Sequence, residues 1–304
     1  MTAILFDPAG NDAKRRKSLF AGNILVFSPN KSSLALIEFA RSLIREEFGN
    51  RDPQRAQHEM PVEEFVAVLA RLKPKFINHP QSKDLVRAVL REMGCDPGKT
   101  YFDVPRMRTA TSGGYLTAGL AYAFHAHRDT WYAAPMAQMN WWIPIYDVEP
   151  GNAMAFHPRY WDTPVENESQ EFNYYEYVGD ARKNAAQHVK KDTRKQPHPR
   201  GQIEMNPDIR VITNVGGMLM FSGAQLHSTV PNDTGVTRFS IDFRTVHIDD
   251  IRAETGAPNI DTECTGTALH DFLRVADLEH LPEDVCLPYE QAVNIRPDST
   301  VTSA

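Results

Sequence analysis

The chain has 304 residues and a formal net charge of −6. That balance excludes a nucleic-acid binder held by bulk positive charge. No apolar run approaches the roughly 18 residues that span a bilayer, so no membrane partner is expected. With 41% apolar and 24% charged residues, the composition is that of an ordinary globular chain, long enough for one large domain or two small ones.

The first stretch, MTAILFDPAGNDAKRRKS, places its apolar residues before its basic ones. This is the reverse of a secretory signal. Residues 1–99 then read as a helical segment packing on a sheet. Ser32 or Ser33 is positioned to cap a helix in which Leu36, Ile37, Ala40, Leu43, Ile44 and Phe48 recur at helical spacing, with Gly49 as its stop. Pro61 suits a first helical position, and Phe65, Val66, Leu69 and Leu72 follow before Pro74 is expected to end the run. Ser82 is the expected cap of a third helix that carries Leu85, Val86, Val89, Leu90 and Met93 and stops at Gly94.

Beyond Gly94 the pattern shortens to β-rich runs, each bounded by Gly, Pro, Asn or Asp: 101–107, 115–125, 136–146, 152–156, 209–214, 218–221, 225–230 and 237–248. Gln138, Asn140 and Trp142 fall on one face of their strand, and Met139, Trp141 and Ile143 on the other. In the last run Arg238, Ser240, Asp242 and Arg244 oppose Phe239, Ile241 and Phe243. About eight strands without intervening helices predict a mainly β fold, a double-stranded β-helix or jelly roll, under a helical N-terminal layer. The expected core is 100–250, interrupted by a polar insertion at 161–208 that reads as a lid. Residues 251–304 read as an irregular tail, with one short helix near 268–275, and the whole as one compact domain. Cys95, Cys264 and Cys286 are odd in number and widely spaced. They imply no disulfide framework and a reducing cytoplasmic location.

The chemistry concentrates at His127-Arg128-Asp129. Residues i and i+2 of an extended segment point the same way, so one imidazole and one carboxylate can reach one ion. His227, which heads a later β-run, supplies a second imidazole. Two His and one carboxylate are the ligand set of non-heme Fe(II) oxygenases, with three positions left open. His125 and His127 also form an HxH pair of the kind found in cupin metal sites, although no Glu occurs between 130 and 148 to complete that pattern.

The stretches HRD at 127–129, GGMLMFSGAQLHSTVPN at 216–232 and TRFSIDFR at 237–244 resemble the Fe(II)/2-oxoglutarate-dependent oxygenase superfamily, and within it the phytanoyl-CoA hydroxylase-like branch. The resemblance covers about 101–248. It implies iron on His127, Asp129 and His227, with 2-oxoglutarate and O2 as co-substrates. It also implies Arg238 as the anchor of the far carboxylate and Thr229 as an assisting hydroxyl. A planar guanidinium suits a carboxylate through two parallel hydrogen bonds. Arg244, on the same face, is the alternative anchor or a substrate contact. Related halogenases carry Gly or Ala where this chain has Asp129, so oxygenation or desaturation of a C–H bond is the implied reaction.

Gln138 and Asn140 are expected near the co-substrate. His125, Tyr122, Trp131 and Trp142 are expected to face the substrate, in an aromatic pocket that also includes Tyr132 and Trp161. The basic stretch 182–200 is expected to draw in an anionic small molecule, a natural product or an amino-acid-like acid. Two other readings stand beside this one: a cupin-type dioxygenase that does not use 2-oxoglutarate, and a non-catalytic jelly-roll ligand-binding protein.

Overall fold

A computed structural model of the chain describes residues 2–117, 125–181 and 196–291. Its strands are β1 Ile4–Phe6, β2 Ile24–Phe27, β3 Thr100–Phe102, β4 Arg106–Ala110, β5 Met139–Pro144, β6 Met154–Phe156, β7 Ile209–Arg210, β8 Met218–Ser222, β9 His227–Thr229, β10 Arg238–His247 and β11 Leu273–Arg274. The longer helices are α1 Asp12–Phe20, α2 Lys31–Phe48, α3 Val62–Asn78 and α4 Pro80–Glu92.

The large sheet runs β1-β2-β8-β5-β10-β3-β11, with β4 also paired to β10. The small sheet runs β7-β6-β9, and an antiparallel bridge from His127 to His227 adds a fourth chain segment beside β9. The sheets face each other across Trp142, Leu219 and Phe221 from the large one and Met154, Phe156 and Val211 from the small one. This is the expected jelly roll.

Period-2 alternation decides which side chains go where. Trp141, Ile143, Met218, Met220, Phe239, Ile241 and Phe243 pack outward against Leu36, Ile44, Phe65, Leu69, Leu72 and Val89 of the helices. Gln138, Asn140, Trp142, Arg238, Ser240, Asp242 and Arg244 therefore turn inward, between the sheets.

The helix ends differ from expectation in instructive ways. Asn30, not Ser32 or Ser33, caps α2. Its side chain accepts from Ser33 N at 2.8 Å while the Ser33 hydroxyl accepts from Asn30 N, a reciprocal box. Pro74 lies inside α3 rather than ending it. Pro74 is exposed, so water can serve the carbonyl its ring leaves unbonded, while Leu72 and Phe76 on either side are buried and carry the helix onward. His79 caps α4 through Nδ1, and Pro80 takes the first helical position. Ser82 is buried inside the first turn, donating to Phe76 O.

Three segments fall outside the expected scheme. β1 and β2 form a parallel pair on either side of α1, and β2 lies antiparallel to β8 with Val26 opposite Leu219. Of the run expected at 115–125, Tyr115, Leu116 and Thr117 are not in a strand, and 118–124 lies outside the described residues. The C-terminal stretch is more ordered than an irregular tail. A short helix spans Ile248–Arg252, and the stretch 268–275, where a short helix was expected, holds a 3-10 helix at Leu269–Asp271 followed by β11 at the sheet edge. Val246, Phe272, Leu281 and Val285 pack with Tyr101 in a core of their own. Cys95, Cys264 and Cys286 are all free and buried. Among the described residues, no helix is long and apolar enough to cross a membrane.

Candidate metal centre

His127 and His227 exchange both backbone hydrogen bonds, N to O at 3.0 Å in each direction. A pair of this kind sets the two side chains side by side on one face of the ladder, and the ring centroids lie 4.4 Å apart. Asp129 sits two residues further on, at the start of a 3-10 turn, Asp129–Tyr132. Its backbone N–H is fixed on Gly223 O at 2.9 Å. Asp129 Oδ1 is 3.5 Å from His127 Nε2 and 3.9 Å from His227 Nε2. One ligand atom from each of the three lies within 4.8 Å of the others, so the group could hold a metal ion. Ligand atoms each about 2.1 Å from one cation stand about 3.0 Å apart at right angles and about 4.2 Å apart when opposite. The two observed separations to Asp129 fall between those limits.

The protonation pattern suits a cation. His127 Nδ1 bonds His125 O at 2.8 Å and His227 Nδ1 bonds Gln225 O at 2.9 Å. A carbonyl only accepts, so both Nδ1 atoms carry the proton and both Nε2 lone pairs face Asp129. Burial and the neighbouring His127 push the His227 pKa down to about 4, which keeps the ring neutral. Burial alone would raise the Asp129 carboxyl. The neighbouring His127 and His227 side chains and the charge of Arg244 outweigh it and hold the group well below the usual carboxylate range.

Gln138 Nε2 at 3.0 Å and Asn140 Nδ2 at 2.7 Å both donate to Asp129 Oδ2. They occupy one carboxylate oxygen and leave Oδ1 to the ion. The structure thus places Gln138 and Asn140 behind the carboxylate. Gly223 gives them room: a Cβ there would stand 3.2 Å from Gln138 Nε2 and 3.5 Å from the Asp129 Cβ.

Arg128, between His127 and Asp129, points the other way into the protein. Its guanidinium meets Asp261 Oδ2 at 3.0 Å, Ala224 O at 2.6 Å and Thr163 O at 3.2 Å. Asp261 also receives Trp131 Nε1 at 2.8 Å and Val165 N at 2.9 Å. One buried carboxylate from the C-terminal stretch therefore pins the metal loop to the 161–208 insertion. Trp131 is fully buried in this packing. A second brace starts at Gly22, whose positive φ of 87° and contact with the Trp161 ring exclude a side chain. Its carbonyl accepts from Gln225 Nε2, and the Gln225 carbonyl in turn orients His227.

The other expected site residues divide between the two ends of the interior. Arg238 is buried (5% exposed). Nη1 donates to Asn152 O at 3.1 Å, the guanidinium lies 5.7 Å from the Trp142 ring centroid, and Nε has no hydrogen-bond partner among the described residues. Burial lowers its pKa to about 10, so it remains a cation at neutral pH. Small-sheet register sets Phe156 opposite His227 and Met154 opposite Thr229. Asn152, and Arg238 with it, lie beyond Thr229 along the same line. Thr229 borders a cavity of about 130 Å³ lined also by Ala110, Thr111 and Asn232.

Arg244 lies at the metal end, in register with Asn140, and Asp103 holds its guanidinium. His125 stacks on His198 with centroids 3.9 Å apart, and its Nε2 meets Pro197 O at 2.9 Å. His125 is not in the metal-capable group, which removes the main support for a cupin-like HxH site. Tyr122 and residues 182–195 lie outside the described residues. Arg200, the last of the basic stretch, pairs with Glu171.

Sequence reasoning passed over Asp103, Asp261 and His198. Tyr132, one of the aromatics expected around the HxD stretch, stands edge-on to His127, with centroids 5.4 Å apart.

No family model matches the chain, and no curated protein sequence matches it. Solved structures similar to it include EvdO2 from Micromonospora carbonacea var. aurantiaca complexed with 2-oxoglutarate (11% identity, 79% of this chain and 92% of that chain, TM-score 0.44). EctD from S. alaskensis with bound Fe is another (12%, 80% and 80%, TM-score 0.39). A third is the epimerase SnoN in complex with Fe3+, alpha-ketoglutarate and nogalamycin RO (14%, 78% and 85%, TM-score 0.37). Likeness at this level carries no weight for activity. The functional reading rests on the chain's own residues.

Proposed function

We propose that the protein is a non-heme Fe(II)/2-oxoglutarate-dependent oxygenase that oxidises a C–H bond of a small molecule by hydroxylation or desaturation. The observation that carries the reading is the convergence of His127, Asp129 and His227, with both imidazoles held in the Nε2-ligating tautomer. These three would hold the iron. The orphaned Nε of buried Arg238 supports the co-substrate assignment, because a buried cation with an unmet N–H calls for an anion. Arg238 would take the far carboxylate of 2-oxoglutarate, with Thr229 beside it. When bound, iron and 2-oxoglutarate would let O2 act as the oxidant: 2-oxoglutarate would take one oxygen atom and leave as succinate and CO2, and the other would serve the oxidation of the C–H bond.

The chain's own contribution is placement. Gln138 and Asn140 fix which oxygen Asp129 presents. Arg128 and Asp261 hold the ligand loop against the insertion. Tyr132, Phe172 and Tyr177, whose rings touch at 5.3 to 6.2 Å, form an apolar wall beside His127 that would seat the substrate body and exclude water. The insertion would act as the lid.

The test is anaerobic addition of Fe(II) and then 2-oxoglutarate. A weak visible metal-to-ligand charge-transfer band is expected, absent in Asp129→Ala. Iron binding without the band would favour a dioxygenase that does not use 2-oxoglutarate. Absence of iron binding would favour a non-catalytic jelly roll.

A further inference from the structure

The inward face of the large sheet carries a second cationic group besides Arg238. Arg244 faces inward, as the burial of Phe243 against the helices requires. It pairs in register with Asn140, the residue that holds Asp129, so it stands at the metal end, away from Arg238. Asp103 is almost fully buried (1% exposed) and grips Arg244 from behind. Oδ1 accepts the Arg244 backbone N–H at 2.6 Å, and Oδ2 accepts from Nε at 2.7 Å and from Nη2. Asp103 is itself set by Arg106. The remaining nitrogen, Nη1, makes no hydrogen bond to any described residue, and the side chain keeps 26% of its surface open. A guanidinium clamped on one edge, with its other edge open beside a metal group, has the form of a preorganised anion receptor.

We infer that Arg244 binds an anionic group of the substrate, a carboxylate or a phosphate, and that this contact sets which C–H bond lies next to the metal group. The inference rests on the oxygenase reading and names the substrate class for that site: a small acid whose body lies on the Tyr132, Phe172 and Tyr177 wall. Arg244 senses Asp129, which with Asp103 raises its pKa against the effect of burial and keeps it charged at every working pH. Asp103 is a positioning residue here, since it acts through Arg244.

The test uses the full chain loaded with Ni(II) and saturating 2-oxoglutarate, so that no turnover occurs. The probes are inorganic phosphate, acetate and phenylacetate, with phenylacetamide as the uncharged control, followed by calorimetry. Phenylacetate should bind and phenylacetamide should not. Arg244→Gln should weaken phenylacetate by about tenfold or more, the scale of one lost charge-assisted contact, while 2-oxoglutarate affinity changes less than twofold. Arg238→Gln should give the opposite pattern. Phosphate binding more tightly than the carboxylates would place a phosphate in the substrate.

Arg244→Gln leaves Asp103 short of a partner. If that variant does not fold, Asp103→Asn/Arg244→Gln removes both charges and takes its place. Equal binding of phenylacetate to wild type and the Arg244 variants overturns the inference, as does failure of every acid to bind the loaded wild type. Failure of 2-oxoglutarate to bind the Ni(II)-loaded wild type would instead overturn the oxygenase reading.

Discussion

The two faces of β10 are made from the same ten residues and obey different rules. Outward, Phe239, Ile241 and Phe243 are fully buried against the helices. Phe239 packs edge-on against Phe48, with ring centroids 6.0 Å apart and planes at 88°. Inward, Arg238, Ser240, Asp242 and Arg244 line the space between the sheets. The outer face is specified by volume, and any well-fitting apolar side chain would serve. The inner face is specified by charge and hydrogen-bond direction, and its members cost stability wherever a partner is missing. Arg238 Nε and the Ser240 hydroxyl are both buried without partners. A sheet that only had to hold the fold together would not carry them.

The sharpest way to break this contrast is to empty the outer face. Phe239→Ala should destabilise the fold by about 3–5 kcal/mol through lost burial and the cavity left behind. Urea unfolding followed by circular dichroism measures it. The fraction that stays folded should bind metal like wild type. A loss of metal affinity larger than the folded fraction explains would mean that the two faces are coupled.

On the inner face the expectation reverses. Arg238→Gln should weaken 2-oxoglutarate by about tenfold to a hundredfold, the range of a lost charge-assisted pair, and leave the melting temperature unchanged or higher. Removing a buried cation with an unmet N–H relieves a desolvation cost. Titration calorimetry and thermal melts on the same samples read both effects. A large drop in melting temperature would make Arg238 a structural residue rather than an anchor.

How far the sequence revealed each face follows from the range of the interactions. The alternation in β10 and β5 is local, and so is the i, i+2 spacing of His127 and Asp129. Both could be read from the chain, as could the alternate use of Gln138 and Asn140 on one face. What escaped was non-local. β1 and β2 are three and four residues long, too short to show a period, and β2 exists as a strand because β8, nearly two hundred positions away, gives it an edge to pair with. Asp261 is 133 positions from Arg128, and Asp103 is 141 from Arg244. A lone Asp carries no mark of a distant guanidinium. Caps were misplaced by two or three residues at α2 and α4 because Asn30 and His79 compete well with the serines. The aromatic residues could be listed from sequence but not sorted. Trp131 went to the Asp261 hub, and Tyr132 next to it went to His127.

The inner face should also set the response to acid. Burial would raise the Asp103 carboxyl, but Arg244 and Arg106 hold it below the ordinary carboxylate value. A group with a depressed folded pKa contributes stability that is present above its unfolded pKa, about 3.9 for Asp, and is lost as pH falls through the folded value. Stability should therefore be insensitive to this pair near neutrality and fall below about pH 4. Asp103→Asn should be less stable at pH 7 and flatter with pH in that acid range. An unchanged acid slope in Asp103→Asn would remove Asp103 from the account and with it the clamp on Arg244.

The smallest effect should come from Thr229. It lies between His227 and the Arg238 end of the interior and borders the 130 Å³ cavity, where a hydroxyl contributes one neutral hydrogen bond. Thr229→Val keeps the branched shape and removes only that bond. It should weaken 2-oxoglutarate by about 0.5–1.5 kcal/mol, or roughly two- to twelvefold, with metal affinity unchanged, since Thr229 is not in the metal-capable group. Calorimetry of 2-oxoglutarate into Ni(II)-loaded Thr229→Val, and into Thr229→Val/Arg238→Gln, decides how the hydroxyl acts. If both groups hold the same carboxylate, their losses will not add, because residues sharing one partner couple. Strict additivity would mean that Thr229 serves the co-substrate elsewhere, and the inner face would then hold its ligand by separate contacts instead of one fork and one hydroxyl on a single carboxylate.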